Sequence, residues 1–422
     1  MKVLFIHCNI NTGNGRHFIP GVASISSVLK EAGHETALLF IQEAVDRDAL
    51  LKRVEEEGPD LIGFTTLTNQ WSYIKQYTGW IKQQFRLPII HGGIHATVAS
   101  DEVLSNDEVD MICVGEGEFP MLELLERLKQ GKSYQDVPNL WIKKSDGSII
   151  RNPLRPLIQD LDKLPFPDRE ICNYRQLLLE NPFEATLLMA GRGCPFKCTY
   201  CVNNAFHHLY RDLGKYVRLR TPERVLEEIR FLRDTYGIKE LFIYDDTFTY
   251  NHKWLTHFCD LYRKKIGLPF AVNLRVDTVN DHILRMLKEA GCYLIVAGIE
   301  SGSERIRREI MGRKITNEQI IRVFKVADEL GIKTWTNNMI GLPTETPAEA
   351  EETIELNRII RPNHAQIFVF YPFPGTALYD VCKREGYFSN REKTTIFEGE
   401  SVLNLPNLTN EQIHYFTEEF KK

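Results

Sequence analysis

The sequence is 422 residues long, 43% hydrophobic and 26% charged, which is the make-up of a folded chain with room for two or three domains. A net charge of −5 argues against a general nucleic-acid binder, whose phosphate contacts need Lys and Arg clustered on one face. No apolar run approaches the ~18 residues of a membrane span, and the opening MKVLFIHCNINTG turns polar too soon for a signal peptide.

Nine cysteines, three of them within 194–201, fit metal binding in a reducing compartment better than a disulfide framework, so a cytoplasmic, oxygen-sensitive protein is expected. The basic run Arg305, Arg307 and Arg308 reads as a solvated helix face.

Along residues 1–138, short apolar runs alternate with amphipathic segments. VLFIH, TALLFI, LIGFT, PIIHGG and MICVG read as strands, with helices expected over 21–31, 49–56, 71–85 and 119–129. Repeated strand-helix units predict a doubly wound parallel sheet, a Rossmann-like α/β domain, whose ligands lie beyond the carboxyl ends of the strands. Those ends carry residues 9–16, then Thr65, Thr66 and Thr68, then Gly92, Gly93 and His95, and finally Gly115, Glu116 and Glu118. Glycines there let a bulky ligand approach the backbone, and hydroxyls and amides offer it hydrogen bonds. Each group taken alone is also what any α/β domain shows at its strand ends.

Residues 139–183 form the expected connector. Two alternating runs flank Asp146-Gly147, a hairpin signal. Pro153, Pro156, Pro165 and Pro167 then disfavour helix and strand and mark a domain boundary.

From 184 to 380 the alternation resumes with larger helices and strand cores at LLMA, ELFIYD, FAVNL, YLIVAG, IKTWTNNMI and AQIFVF. Thr221-Pro222 and Thr346-Pro347 read as helix starts, and Gly237 as a helix stop. Six β/α units imply an incomplete (β/α)6 barrel with its chemistry at the carboxyl ends of the strands. Those ends hold Asp245 and Asp246, Asn273 and Arg275, Glu300 and Ser301, with Asn337 on the fifth strand. Residues 381–422 form a short terminal segment with a helix-start box at Thr409 to Gln412.

The first of these strands runs into LLMAGRGCPFKCTYC, with cysteines spaced CxxxCxxC at Cys194, Cys198 and Cys201. Three thiolates on one short loop can hold three corners of a 4Fe–4S cluster and leave the fourth iron open. A zinc site lacking its fourth ligand, or three unrelated thiols, are the other readings of the spacing.

At these residues the chain resembles the radical S-adenosylmethionine (SAM) family, whose cysteine loop follows the first strand of a partial barrel, with an aromatic where Tyr200 stands. The resemblance implies a 4Fe–4S cluster whose open iron chelates SAM, and reductive cleavage of SAM to methionine and a 5′-deoxyadenosyl radical. It assigns SAM contacts to Tyr200, Asp245, Asp246, Arg275, Glu300, Ser301 and Asn337, with Arg275 suited to pair with the methionine carboxylate.

GGIHAT, VGEGE, GIESG and GLPTET are similar to pieces of the subgroup that carries a cobalamin-binding domain ahead of the barrel. By that resemblance cobalamin is a further cofactor, bound base-off by Thr65, Thr66, Thr68, Gly92, Gly93, His95, Gly115, Glu116 and Glu118. The chain lacks the DxHxxG stretch that supplies a cobalt ligand elsewhere, and neither His7, His91 nor His95 is assigned that role. Thr344 also departs from the usual GLPGET pattern, so a different turn is expected at Pro343 to Glu345.

The resemblance implies a methyltransferase acting on an unactivated carbon of a small molecule, served by a flavodoxin- or ferredoxin-type electron donor, with no nucleic acid and no membrane span. A non-methylating radical reaction, such as anaerobic oxidative ring cyclisation of a porphyrin, and a non-catalytic cobalamin or redox sensor are the alternatives.

Overall fold

In a computed structural model, residues 1–13, 15–391 and 400–421 are described. The chain forms two compact units, Met1–Ala185 with Tyr210–Lys215, and Thr186–Leu209 with Tyr216–Lys422.

The first unit is built on a seven-stranded sheet. Its strands are β1 (Lys2–Cys8), β2 (Glu35–Ile41), β3 (Leu61–Thr65), β4 (Ile89–Gly92), β5 (Met111–Cys113), β6 (Leu140–Lys143) and β7 (Ile149–Arg151). They lie in the order β2-β1-β3-β4-β5-β6-β7, the first five parallel and the last two antiparallel.

β1 is almost continuously apolar because helices cover both faces of a central parallel strand, and it is buried from Val3 to Cys8. The 2-1-3-4-5 order places the topological switch point between β1 and β3, where doubly wound sheets open a crevice for ligands. The hairpin turns at Asp146-Gly147, with Gly147 at φ 82°. The Gly147 amide donates to the Lys144 carbonyl at 2.9 Å. Leu140 and Ile142 are buried, so the hairpin is the antiparallel edge of this sheet.

In the second unit β8 (Leu187–Leu188) leads into a two-stranded ribbon of β9 (Gly191–Arg192) and β10 (Arg218–Leu219). β11 (Leu241–Ile243), β12 (Phe270–Leu274), β13 (Cys292–Glu300), β14 (Lys333–Ile340) and β15 (His364–Val369) complete an all-parallel sheet in the order β15-β14-β13-β12-β11-β8. Each strand adds beside its predecessor, which is how a partial barrel grows.

Caps fix the helices between the strands. Thr221 accepts the Arg224 amide ahead of Pro222–Tyr236, Gly237 ends that helix at φ 71°, and Thr346 and Glu349 form a capping box ahead of Pro347–Ile360. The terminal helix Asn410–Phe420 starts at the expected Thr409 box, and its Ile413 and Phe416 join the core with Ile340, Ile367 and Val369.

Arg308 in the basic run is exposed, as a solvated face requires, but Arg307 departs from that expectation. Arg307 is fully buried in a π-helical turn, Ile306–Ile310. Its guanidinium donates to the Ile315 and Ser301 carbonyls and to Asn317, while Arg305 pairs with Glu349 at 2.6 Å. A charge with several donors is retained in an interior when carbonyls satisfy them, and helical periodicity gives no sign of such an arrangement.

Candidate active site

Between β9 and the helix Val202–Leu209 the chain presents Cys194, Cys198 and Cys201. The loop lies so close to the ribbon that only glycine fits at two positions. A Cβ on Gly191 would stand 2.6 Å from the Arg218 carbonyl, and one on Gly193, at φ 83°, 2.7 Å from that of Tyr216. Further bonds pin the loop. The Thr199 amide donates to the Met311 carbonyl at 3.2 Å, the Leu378 amide to the Thr199 carbonyl at 3.1 Å, and His207 Nε2 meets the Cys194 carbonyl at 2.8 Å.

Each sulfur has its own polar neighbour. Cys194 Sγ lies 3.6 Å from Thr247 Oγ1, Cys198 Sγ accepts from Arg275 Nη1 at 3.2 Å, and Cys201 Sγ accepts from Asn203 Nδ2 at 3.6 Å. Burial raises the Cys194 thiol and pushes Cys201 up to about 11, so metal loading must displace protons. Among the described residues no three His, Cys, Asp or Glu side chains gather so as to hold a metal ion. Three soft thiolates on one short loop are a donor set that suits a 4Fe–4S cluster, which takes one thiolate per corner.

The expected SAM-binding residues divide by what they touch. Asp245 is buried and accepts the Ala190 amide at 2.7 Å and the Gly191 amide, bracing the glycine turn. Burial, with Asp246 alongside, pushes its carboxyl up to about 7. Asp246 is exposed and accepts from Asn203 Nδ2 at 3.1 Å, and Asn203 in turn accepts from the Tyr216 hydroxyl at 2.5 Å. Of the pair, Asp245 is turned into the fold and Asp246 is the exposed carboxylate. Arg275 follows β12 as expected, but its fork is held by Asp277, Nε to Oδ1 at 3.0 Å and Nη2 to Oδ2 at 2.8 Å.

Glu300 ends β13 at a register shift, with φ 71° in the left-handed region. Its Oε1 accepts from the Tyr200 hydroxyl at 3.1 Å, and Arg313 Nη1 reaches both, at 3.1 Å to Tyr200 and 3.5 Å to Glu300. Burial raises the Glu300 carboxyl, and Arg313 draws it back down. Gly298 makes room for this carboxylate, since a Cβ there would stand 2.3 Å from Glu300 Oε1.

Asn337 pairs in register with Gly298 and is half-buried, whereas the next residue, Asn338, is fully buried on the Asn357 side of the sheet. Alternation thus turns Asn337 to the face of Glu300. Ser301 is fully buried, and its hydroxyl accepts the Ser303 amide at 3.2 Å. Thr344 has φ 66°, the region a glycine would favour, and Glu345 behind it accepts the Gly341 and Leu342 amides at 2.6 and 3.0 Å. The departure from GLPGET is thus absorbed as local strain in a glycine-type turn.

In the first unit the residues expected to meet cobalamin lie at and just beyond the carboxyl ends of β3, β4 and β5. Gly92 has nothing within 4 Å of where a Cβ would sit, and Gly93, at φ 91°, caps the short helix Ile94–Val98. Thr65 closes β3, Thr66 approaches His91 Nδ1 at 3.3 Å, and Thr68 approaches His95 Nδ1 at 3.2 Å. His95 is buried, its Nε2 without a hydrogen bond and 3.9 Å from Glu102 Oε1, and burial pushes it down to about 4.

Gly115, at φ 85°, packs where a Cβ would strike the Tyr210 hydroxyl. Glu116 accepts the Ile158 amide at 3.0 Å, which ties the connector to the sheet, and Glu118 accepts from the Ser24 hydroxyl at 2.7 Å. His7 and His91 are also buried and pushed down to about 3, chiefly by burial. Gly92 borders open space at the end of β4, next to Thr65 at the end of β3, with which it pairs in register.

A six-stranded parallel barrel segment with a three-cysteine loop, preceded in the chain by a 2-1-3-4-5 sheet, defines a class of enzyme. The Radical SAM superfamily profile matches residues 188–356 and the B12 binding domain profile residues 6–125. The chain belongs to the cobalamin-binding radical SAM enzymes.

It is similar to an uncharacterised methyltransferase, PH0819, of Pyrococcus horikoshii, at 30% identity over 401 residues that cover 93% of this chain and 84% of the relative. It is similar to the anaerobic magnesium-protoporphyrin IX monomethyl ester cyclase of Rubrivivax gelatinosus, at 28% over 396 residues, 90% of this chain and 69% of that one. Its fold is similar to the radical SAM methyltransferase TsrM of Kitasatospora setae, solved with cobalamin and a 4Fe–4S cluster. The TM-score is 0.73 at 16% identity, covering 98% of this chain and 84% of that one.

Sequence reasoning did not find Arg313, Asn203, Thr247 or Asp277. None belongs to the cysteine motif, and their roles arise only where strand ends and loops meet.

Proposed function

We propose that the protein is a cobalamin-dependent radical SAM methyltransferase acting on an unactivated carbon of a small-molecule substrate. The observation that carries the reading is the similarity to a methyltransferase along 93% of the chain, spanning both the cysteine loop and the strand ends of the first unit. When bound, the cluster, SAM and cobalamin supply a carbon-centred radical and a transferable methyl group, the combination needed when a carbon lacks the acidity or nucleophilicity for ordinary displacement.

The chain's own residues bind and orient. Cys194, Cys198 and Cys201 hold the cluster. Asp246 accepts hydrogen bonds from an ammonium or ribose. Glu300, with Tyr200 and Arg313 fixing its carboxylate, presents a second acceptor on the face shared with Asn337. Thr65, Gly92 and Gly93 form the floor for the corrin. Asp245 and Ser301 brace backbone turns.

Among the described residues no helix is long and apolar enough to cross a membrane, and we place the protein in the cytoplasm with a flavodoxin- or ferredoxin-type donor. The similarity to the cyclase favours a second reading, a ring-forming radical reaction without methyl transfer. Turnover with methyl-labelled SAM separates the two. Label recovered in the substrate is expected, and deoxyadenosine formed with product free of label would support cyclisation instead.

A further inference from the structure

Arg275 is 6% exposed, and its three guanidinium nitrogens and one of its faces are engaged. Asp277 takes Nε and Nη2 in a bidentate pair, Phe196 stacks beneath at 3.7 Å, and Nη1 points at Cys198 Sγ, 3.2 Å away. A planar group held at Nε and Nη2 and stacked on one face fixes the plane and direction in which Nη1 donates. Arg275 is a charged donor to a loop sulfur, whereas Thr247 and Asn203 are neutral and stand 3.6 Å from theirs.

We infer that Arg275 is a positioning residue that sets the reduction potential of the cluster through the Cys198 thiolate. This role rests on the reading that the three cysteines ligate a 4Fe–4S cluster. One electron from an external low-potential donor takes the cluster from the 2+ to the 1+ state, with no proton moving and no bond breaking. The added negative charge spreads onto the thiolates, so a cationic N–H aimed at one of them stabilises the reduced state more than the oxidised state and raises the potential. Asp277 lies on the opposite side of the guanidinium from the sulfur and fixes the aim of that N–H.

The experiment is an anaerobic redox titration of the reconstituted protein, followed by the electron paramagnetic resonance of the reduced cluster, on the wild type, Arg275→Met and Arg275→Lys. Iron and sulfide content and SAM affinity are measured on the same samples. Arg275→Met is expected to move the midpoint negative by about tenfold in the reduction equilibrium, 59 mV for a one-electron couple, with cluster content and SAM affinity retained. Arg275→Lys should restore part of the shift.

An unchanged midpoint in a loaded variant, or a loss of SAM affinity at constant midpoint, would overturn the inference. Should Arg275→Met fail to fold, the Arg275→Lys midpoint decides by the same criterion. Loss of the cluster in the Cys198→Ala control supports the ligand reading independently, so a wild type that never loads a cluster would sink that reading rather than this one.

Discussion

At the scale of single residues, the chemistry of the second unit rests on side chains far apart in the chain, as Arg275 donates to Cys198 and Tyr200 to Glu300. Arg275 follows the apolar FAVNL run and had to stand at a strand end, yet its sulfur partner lies 77 residues earlier. Local periodicity says which face a residue takes and nothing about what waits there. Glu345 is similar. GLPTET marks a turn, but the turn hides a carboxyl that burial pushes up to about 8 from an ordinary 4.5.

The pH dependence has a definite sign. Between about pH 4.5 and 8 the folded chain keeps a proton that the unfolded chain has lost, so stability falls as pH rises through that window. Glu345→Gln keeps an acceptor for the Gly341 and Leu342 amides and removes the titration. Denaturant unfolding should show the variant gaining on the wild type between these limits, by an order of 1 kcal/mol or more at about 1.4 kcal/mol per pKa unit. A constant difference across the window would refute the assignment.

At the scale of elements, boundaries came from chemistry that is local and therefore readable. Thr221, Thr346 and Thr409 cap the helices they were expected to start, and Gly237 stops one in the left-handed conformation only glycine takes easily. The π-helical turn was not readable, because it depends on carbonyls at Ser301 and Ile315 gathering round one guanidinium. Arg307→Ala is expected to cost about 3–5 kcal/mol, leaving those acceptors unsatisfied in the interior. A loss below 1 kcal/mol in thermal or chemical unfolding would show that the network is dispensable.

At the scale of the whole molecule, the two fold classes were legible because strand-helix alternation repeats along both halves of the chain. The place of the hairpin was not, since an alternating run with a turn does not specify which edge it joins; buried Leu140 and Ile142 beside β5 settle it. The strand ends of the first unit offer a test that leaves the fold alone. Gly92 faces open space, so Gly92→Leu should be tolerated with less than about 1 kcal/mol of change in stability, while its side chain fills the floor assigned to the corrin. Cobalamin retention on gel filtration should fall at least tenfold with iron content unchanged. Full retention would place the corrin elsewhere.

The central claim joins both cofactor sites in one methyl-transfer enzyme. Its most direct measurement is the fate of label when the anaerobically reduced protein, loaded with iron, sulfide and cobalamin, is given methyl-labelled SAM and the cobalamin is then extracted. The account predicts labelled methyl on the extracted cobalamin, lost in Gly92→Leu. Label confined to methionine, with deoxyadenosine formed and cobalamin unlabelled, would contradict it.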